Sequence, residues 1–286
     1  MRTIIINSSN LVSGTTNTYQ YNFPTSVQFK DGAEVGVSQI SMYNSSFNVS
    51  VSRSNNTITL IWNAATPTTY TFTLPDGYYS VADLNSFLQQ QCILNKLYVT
   101  SSTGNYVYFA EFQTNAVRYA VSTNLYPIPT AAQATTLGYT IPSGATWTFP
   151  AAAACPQFTI TTGFGALIGL SAGNYPSSAT STTAVQQISN ITPNINPVNS
   201  YVLTCNLVNS NVSIPPTILF SIPINAGIGE QLNFNPSQIV FNRIAPNVYS
   251  FIRIQVLDQL LNPTPLNDTN LVLILAIDDG AMNPRV

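Results

Sequence analysis

Gly169-Leu170-Ser171-Ala172-Gly173 has the GxSxG spacing of a serine nucleophile elbow, in which a strand delivers the serine, a helix follows it and a histidine takes its proton. Asn174-Tyr175-Pro176 comes next, which blocks a helix, and the 286-residue chain contains no histidine. Acyl transfer by this serine therefore lacks its base. Gly163-Phe164-Gly165 echoes a dinucleotide-binding loop, but no βαβ unit surrounds it and it reads as a turn. The ten acids offer more: an acid/base pair, a glycosidase pair or a calcium site could be drawn from Asp258, Asp268, Asp278 and Asp279. Adjacent residues of a strand point to opposite faces, so Asp278 and Asp279 are poorly placed to share a ligand. Asp268 in Asn267-Asp268-Thr269-Asn270 and Asp76 in Pro75-Asp76-Gly77 have the setting of turn formers. Cys92, Cys155 and Cys205 are odd in number, far apart and without a CxxC pair, the pattern of buried reduced thiols rather than of a disulfide framework or a zinc site. No catalytic, cofactor-binding or metal-binding residue is assigned, and the chain reads as non-enzymatic.

Composition supports that reading. The chain carries eight Lys and Arg and ten Asp and Glu, where an average domain of this length would carry about 70 charged residues. Its polar side chains are instead Asn, Ser, Thr and Gln. Burying such groups against a partner costs far less than burying an ion, and charge is depleted at the cores of protein interfaces. Hydrophobic content of 45% and a net charge of −2 exclude a disordered tail. The basic residues Arg2, Lys30, Arg53, Lys96, Arg118, Arg243, Arg253 and Arg285 form no cluster in sequence, which argues against direct nucleic-acid binding. The longest apolar run, Leu271 to Ile277, is far short of the roughly 20 residues that span a bilayer, so no stable membrane insertion is expected. The apolar run at the N-terminus is too short for a signal peptide, which points to a cytoplasmic origin. Asn-x-Ser/Thr sequons at Asn7, Asn44, Asn48, Asn55, Asn190, Asn211 and Asn267 follow from the richness in these residues.

The elements that must hold these residues are mostly strands. Ile58, Leu60 and Trp62 alternate with Thr57, Thr59 and Ile61, and Tyr70, Phe72 and Leu74 alternate with Thr69, Thr71 and Thr73. In Val35 to Met42 the apolar phase shifts after Ser38, which predicts a bulge. Further strands are predicted at Ile4–Asn7, Tyr19–Phe23, Leu97–Thr100, Tyr106–Phe112, Gln157–Thr161, Tyr201–Leu207, Thr217–Ile222, Ile239–Asn242 and Tyr249–Leu257, with Leu271–Ile277 buried on both faces. One short helix is predicted at about 81–93, opened by a Ser80/Asp83 capping box. This is the pattern of an all-β, antiparallel sandwich or barrel, organised as a single domain over 1–286. An insertion is predicted around 121–162, where the Ala-rich stretch Leu125 to Pro156 loses alternation, and a long loop around 171–199.

The order of several short segments resembles the single jelly-roll penton and minor capsid proteins of large icosahedral double-stranded DNA viruses, virophages and Polinton-like viruses. The segments are Ile4 to Asn10 with Tyr19 to Pro24, Glu34 to Val37 leading to Tyr43 to Asn48, and Leu74 to Ser80 through Asp83 to Asn85. They continue with Leu167 to Leu170 through Gly173 to Pro176, Cys205 to Asn209, and Asp258-Gln259 followed by Asn270 to Leu275. The resemblance implies an antiparallel jelly-roll β-sandwich and a structural role in the virion capsid, assembled in the host cytoplasm or virus factory. It implies a pentameric penton at five-fold vertices, with copies of itself, the major capsid protein and other minor capsid proteins as partners. The alternative it leaves is a minor capsid protein beneath or between the major capsomers. A separate alternative is a carbohydrate-binding β-sandwich module that uses some of the 15 Tyr and two Trp.

Overall fold

The computed structural model describes residues 1–178 and 181–279. Arg285 lies outside them. In chain order the elements are β1 (Arg2–Asn7), β2 (Thr18–Gln28), β3 (Glu34–Tyr43), β4 (Thr57–Trp62), β5 (Thr68–Thr73), α1 (Val81–Leu94), β6 (Val99–Thr100), β7 (Tyr106–Val107), β8 (Ala110–Asn115) and β9 (Ala120–Leu125). There follow α2 (Ala131–Leu137), β10 (Gln157–Ile160), α3 (Thr162–Ile168), β11 (Gly173–Tyr175), β12 (Val185–Ile188), β13 (Ser200–Cys205), β14 (Ile218–Pro223), β15 (Gln231–Phe234), β16 (Phe241–Arg243), β17 (Val248–Leu257) and β18 (Leu271–Asp278). All the strand pairings are antiparallel among the described residues.

The chain forms two compact units. Met1–Phe47 joins the chain from Val198 onward in one of them, and Asn48–Pro197 is the other. The single domain with an insertion around 121–162 is thus corrected: the inserted body begins far earlier, at Asn48, and has its own core. The reason is physical. A two-residue period reports that a strand is half-buried but not which core it faces, so in sequence β4 and β5 look like strands of the first unit.

The first unit contains two sheets. One has the order β1-β18-β3-β15, with β16 also on β3, and the other has β14-β13-β17-β2. Numbered 1 to 8 along the chain (β1, β2, β3, β13, β14, β15, β17, β18), these strands are wired 1-8-3-6 and 5-4-7-2. That is the double-sheet connectivity of a jelly roll. Register sets the core: Ile6, Leu273 and Ile40 lie across from one another, as do Ile4, Leu275 and Val37. In the other sheet Tyr19, Ile254 and Cys205 form the matching row. Nearly all of these belong to one buried cluster, with Ile4 packed against its margin. Each fully buried Leu or Ile contributes about 1.5–3 kcal/mol. The predicted bulge is real: Ile274 faces Gln39 and Leu275 faces Val37, which leaves Ser38 as the extra residue. β18 corrects one expectation, since it is not buried on both faces: Val272 is exposed and Ile274 half-buried.

The second unit holds the sheets β11-β10-β4-β5, β12-β9-β8 and β6-β7. Its core includes Trp62, Phe112, Phe158 and Phe164, with the Trp62 ring 5.2 Å from Trp147 and 5.8 Å from Phe109. α1 turns Leu84, Leu88 and Cys92 into that core. Its capping box forms as predicted, with Ser80 Oγ accepting from Asp83 N and Asp83 Oδ2 accepting from Ser80 N. α2 and α3 are additions to the predicted single helix. α2 is only seven residues long, too short for a visible apolar stripe, but Thr130 and Gln133 form a capping box and Gly138 ends it in the left-handed region. The segment 171–199 is not a loop throughout, because it supplies β11 and β12. The predicted strand Tyr106–Phe112 divides into β7 and β8.

Candidate functional site

The residues that could have carried chemistry are held in turns and caps. Ser171 follows α3 and precedes β11, the reverse of a nucleophile elbow, and its backbone N and hydroxyl both point to Asn190 Oδ1. Gly163 and Gly165 sit inside α3 rather than in the turn expected for them. A Cβ at Gly163 would strike the Ser54 carbonyl and one at Gly165 the Leu170 carbonyl, so close backbone approach explains both. Asp258 accepts from the backbone N of Leu260 and Asn262, Asp268 from Asn270 N, and Asp76 from Val51 N. Asp279 pairs with Arg2 at 2.8 Å, whereas Asp278 stands opposite Glu34. The structure brings none of these four C-terminal acids together as a pair. The three cysteines are buried and unlinked, and burial pushes the Cys92 and Cys205 thiols up to about 12.

Sheet faces, rather than a pocket of acids and bases, are what the first unit offers. On the outer side of the β1-β18-β3-β15 sheet, register aligns Ile5 with Ile274 and Gln39, and Asn7 with Val272 and Ser41. Ile5 is 54% and Val272 41% exposed. The row continues to Asn233 opposite Ser41, and Gln231 Nε2 donates to Ser41 Oγ. One part of this face is covered by the chain itself. Gly36, opposite Ala276, must be small because Ile239 and Val240 cross over it, where a Cβ would strike both.

Charge on this sheet is confined to one end. Arg2, Glu34, Arg243 and Asp278 are the only charged residues on its five strands, and register places Arg2 opposite Ile277 and Glu34 opposite both Asp278 and Arg243. Arg243 also pairs with Asp31, whose carboxyl is held below its ordinary range by the hydrogen bond and charge of that guanidinium. The rest of the face is neutral. The β14-β13-β17-β2 sheet carries a single charged residue on its strands, Arg253, which bonds Gln20 Oε1 through Nε at 3.2 Å and Nη2 at 2.7 Å. Its guanidinium lies 5.1 Å from the centre of the Phe251 ring, which holds the cation against the sheet.

Neutral amides and hydroxyls also fix the residues that follow β3, Asn44 to Asn48, each within its own unit, a segment whose polar side chains had been given no role. Within the jelly roll, Asn44 Nδ2 donates to Ala226 O, Asn267 Nδ2 to Ser45 O, and the backbone N of Asp268 to Ser45 Oγ. Within the inserted body, Asn48 Nδ2 donates to Tyr79 O and Ile195 O, while its Oδ1 accepts from Tyr79 N. The side chains of Asn44, Asn48 and Asn55 are buried, which removes three sequons from reach of modification in the folded chain. The signal available in the sequence was Tyr43-Asn44-Ser45-Ser46-Phe47-Asn48, an unusually polar exit from a buried strand.

Strand wiring, a large insertion after the third strand and neutral outer faces define a single jelly-roll protein with an inserted second body. No family model matches the sequence, and no curated protein matches it. Among solved structures, the mavirus penton protein is similar at a TM-score of 0.41 and 9% identity, with 97% of each chain covered. A chain from the cryo-EM structure of the Sputnik virophage is similar at a TM-score of 0.39 and 13% identity, covering 98% of this chain and 99% of that one.

Proposed function

We propose that this chain is a structural, non-enzymatic capsid protein of an icosahedral double-stranded DNA virus or virophage, and specifically the pentameric penton at its five-fold vertices. The observation that carries the reading is the outer face of β1-β18-β3-β15, where exposed Ile5 and Val272 and half-buried Ile274 lie among neutral Gln, Ser and Asn and charge is held to one end. Jelly rolls also serve lectins and cupins, so wiring alone does not decide the role. A neutral face with open aliphatic side chains suits repeated contact with copies of the same chain and with a major capsid protein, because neither side must desolvate an ion. The ordered sequence segments that resemble penton and minor capsid proteins support the same reading.

Native mass spectrometry and sedimentation velocity on the purified chain at rising concentration test it. Five-copy rings, visible by negative-stain microscopy, are the expected result. A protein that stays monomeric at every concentration and does not enter particles when co-expressed with a jelly-roll major capsid protein would sink the capsid role. Entry into particles away from the five-fold axes would instead assign the chain to a minor capsid position.

A further inference from the structure

The inserted body carries a cleft whose chemistry is unlike that of the neutral sheet faces. It has a volume of about 350 Å³ and is walled by Tyr108, Phe109, Tyr126, Tyr139 and Leu137. A second hollow of about 370 Å³ shares Pro127, Pro129 and Leu137 with it and adds Gln133 and Thr136. Two adjacent hollows, the first with aromatic walls and the second with proline, alanine and polar ones, provide room for more than one small ring-shaped unit. Leu137 is 54% and Tyr126 40% exposed, so the rim is open to solvent.

Polar groups meet the cleft at Tyr126. Its hydroxyl donates to Glu111 Oε1 at 2.8 Å, and the same oxygen accepts from Asn124 Nδ2 and Gln113 Nε2, each at 3.0 Å. Gln186 Nε2 extends the network by donating to Asn124 Oδ1 at 3.1 Å. Glu111, Asn124 and Gln186 lie side by side on β8, β9 and β12. All three bonds to Glu111 go to Oε1, so among the described residues Oε2 accepts nothing and remains a strong acceptor. Neither hollow has a Lys or Arg in its wall.

We infer that this cleft is a binding site for a neutral glycan. Tyrosine rings offer flat, weakly polar surfaces for the C–H faces of a pyranose, and tyrosine hydroxyls offer polar edges. Glu111 lies outside the walls of both hollows and acts through Tyr126, whose hydroxyl it holds in one orientation. An anionic sugar or a phosphate is disfavoured, because no Lys or Arg lines either hollow and the charge behind Tyr126, on Glu111, is negative. The inference concerns residues 107–139 and their neighbours in the inserted body and stands whether or not the jelly roll assembles into a capsid.

The test is a glycan array probed with the full chain, carrying galactose-, glucose-, mannose-, fucose- and N-acetylglucosamine-terminated oligosaccharides beside sialylated and sulfated ones. Binding is expected among the neutral set, and saturation-transfer NMR on the strongest of them should mark ring protons. Tyr126→Ala and Tyr139→Ala should each weaken it about tenfold or more, and Leu137→Arg should block it from the rim without touching the core. Glu111→Gln should weaken it less than Tyr126→Ala, while Val117→Ser at the exposed β8–β9 tip should leave it unchanged. Circular dichroism melts confirm that each variant is folded. Binding to no glycan, binding confined to the anionic set, or undiminished binding in folded Leu137→Arg would each overturn the inference.

Discussion

The Tyr201 hydroxyl on β13 lies 3.2 Å from Asn44 Oδ1, which follows directly on β3, and equally 3.2 Å from Ser46 Oγ. The two jelly-roll strands that flank the inserted body in sequence are thereby tied to each other by side chains of their own unit. Tyr201 is fully buried, and burial raises its pKa, so the neutral phenol is the form that serves. Tyr201→Phe leaves buried oxygens without their donor and should lower stability by about 1–2 kcal/mol in a urea melt. An unchanged midpoint would show that the bond contributes nothing.

The inserted body should fold alone. Its chain enters at Asn48 and leaves near Ile195, and the Asn48 amide bonds the Ile195 carbonyl at 2.9 Å, so its ends meet without help from the jelly roll. Residues 48–197 expressed by themselves should give a cooperative melt and dispersed amide NMR signals. Asn48→Ala in that fragment orphans two carbonyls and one N–H and should cost roughly 2–4 kcal/mol.

Charge placed on the neutral sheet face should separate assembly from folding. Val272→Asp and Ile5→Asp alter exposed side chains and should change monomer stability by no more than about 0.5–1 kcal/mol. Both should abolish concentration-dependent association in sedimentation velocity. Association that survives both would move the self-contact to another surface.

The pH dependence should be flat where most proteins titrate. Without histidine, no side chain with an ordinary pKa has its midpoint between about pH 5 and 8, and melting temperature should change little there. On the acid side, the Ser80 hydroxyl and then the Ser80 backbone N hold Asp83 below its ordinary carboxylate range. Its cap is fully present above the unfolded-state pKa and is lost as pH falls through the lowered folded value. On the alkaline side, burial and then Asp268 raise Tyr19 from 10.0 to about 12, and burial raises Cys92 and Cys205 from 9.0 to about 12. Stability that depends on these neutral groups is complete below pH 9 and declines as pH rises from 9 towards 12. Denaturant melts across that range should show the decline, and Cys205→Ser should shift its onset.

Individual strands were legible in the sequence because each jelly-roll strand buries one face, and alternation reports that directly. Even the bulge at Ser38 could be read from a broken phase. What alternation did not report was membership: β4 and β5 carry the same signal as β3, although they belong to a different core. β18 misled in the opposite sense, because Val272 and Ile274 are aliphatic on an open face, where a monomer would ordinarily place polar groups. The glycan cleft was invisible for another reason. Its walls come from separate segments between Val107 and Tyr139, and the carboxylate behind Tyr126 is one residue among many polar ones, so only the fold brings Glu111 to Tyr126.

β18 lies between β1 and β3, and β1 touches β3 only through it. During synthesis the inserted body emerges whole before the last jelly-roll strand does, and it can mature on the ribosome while β1 and β3 wait unpaired. A ribosome that stalls before residue 271 therefore releases a chain with a finished inserted body and an open first sheet. Such a fragment lacks Val272 and Ile274, so the neutral face is incomplete in it. The position of one late strand thus makes that face a property of polypeptides translated through β18 alone.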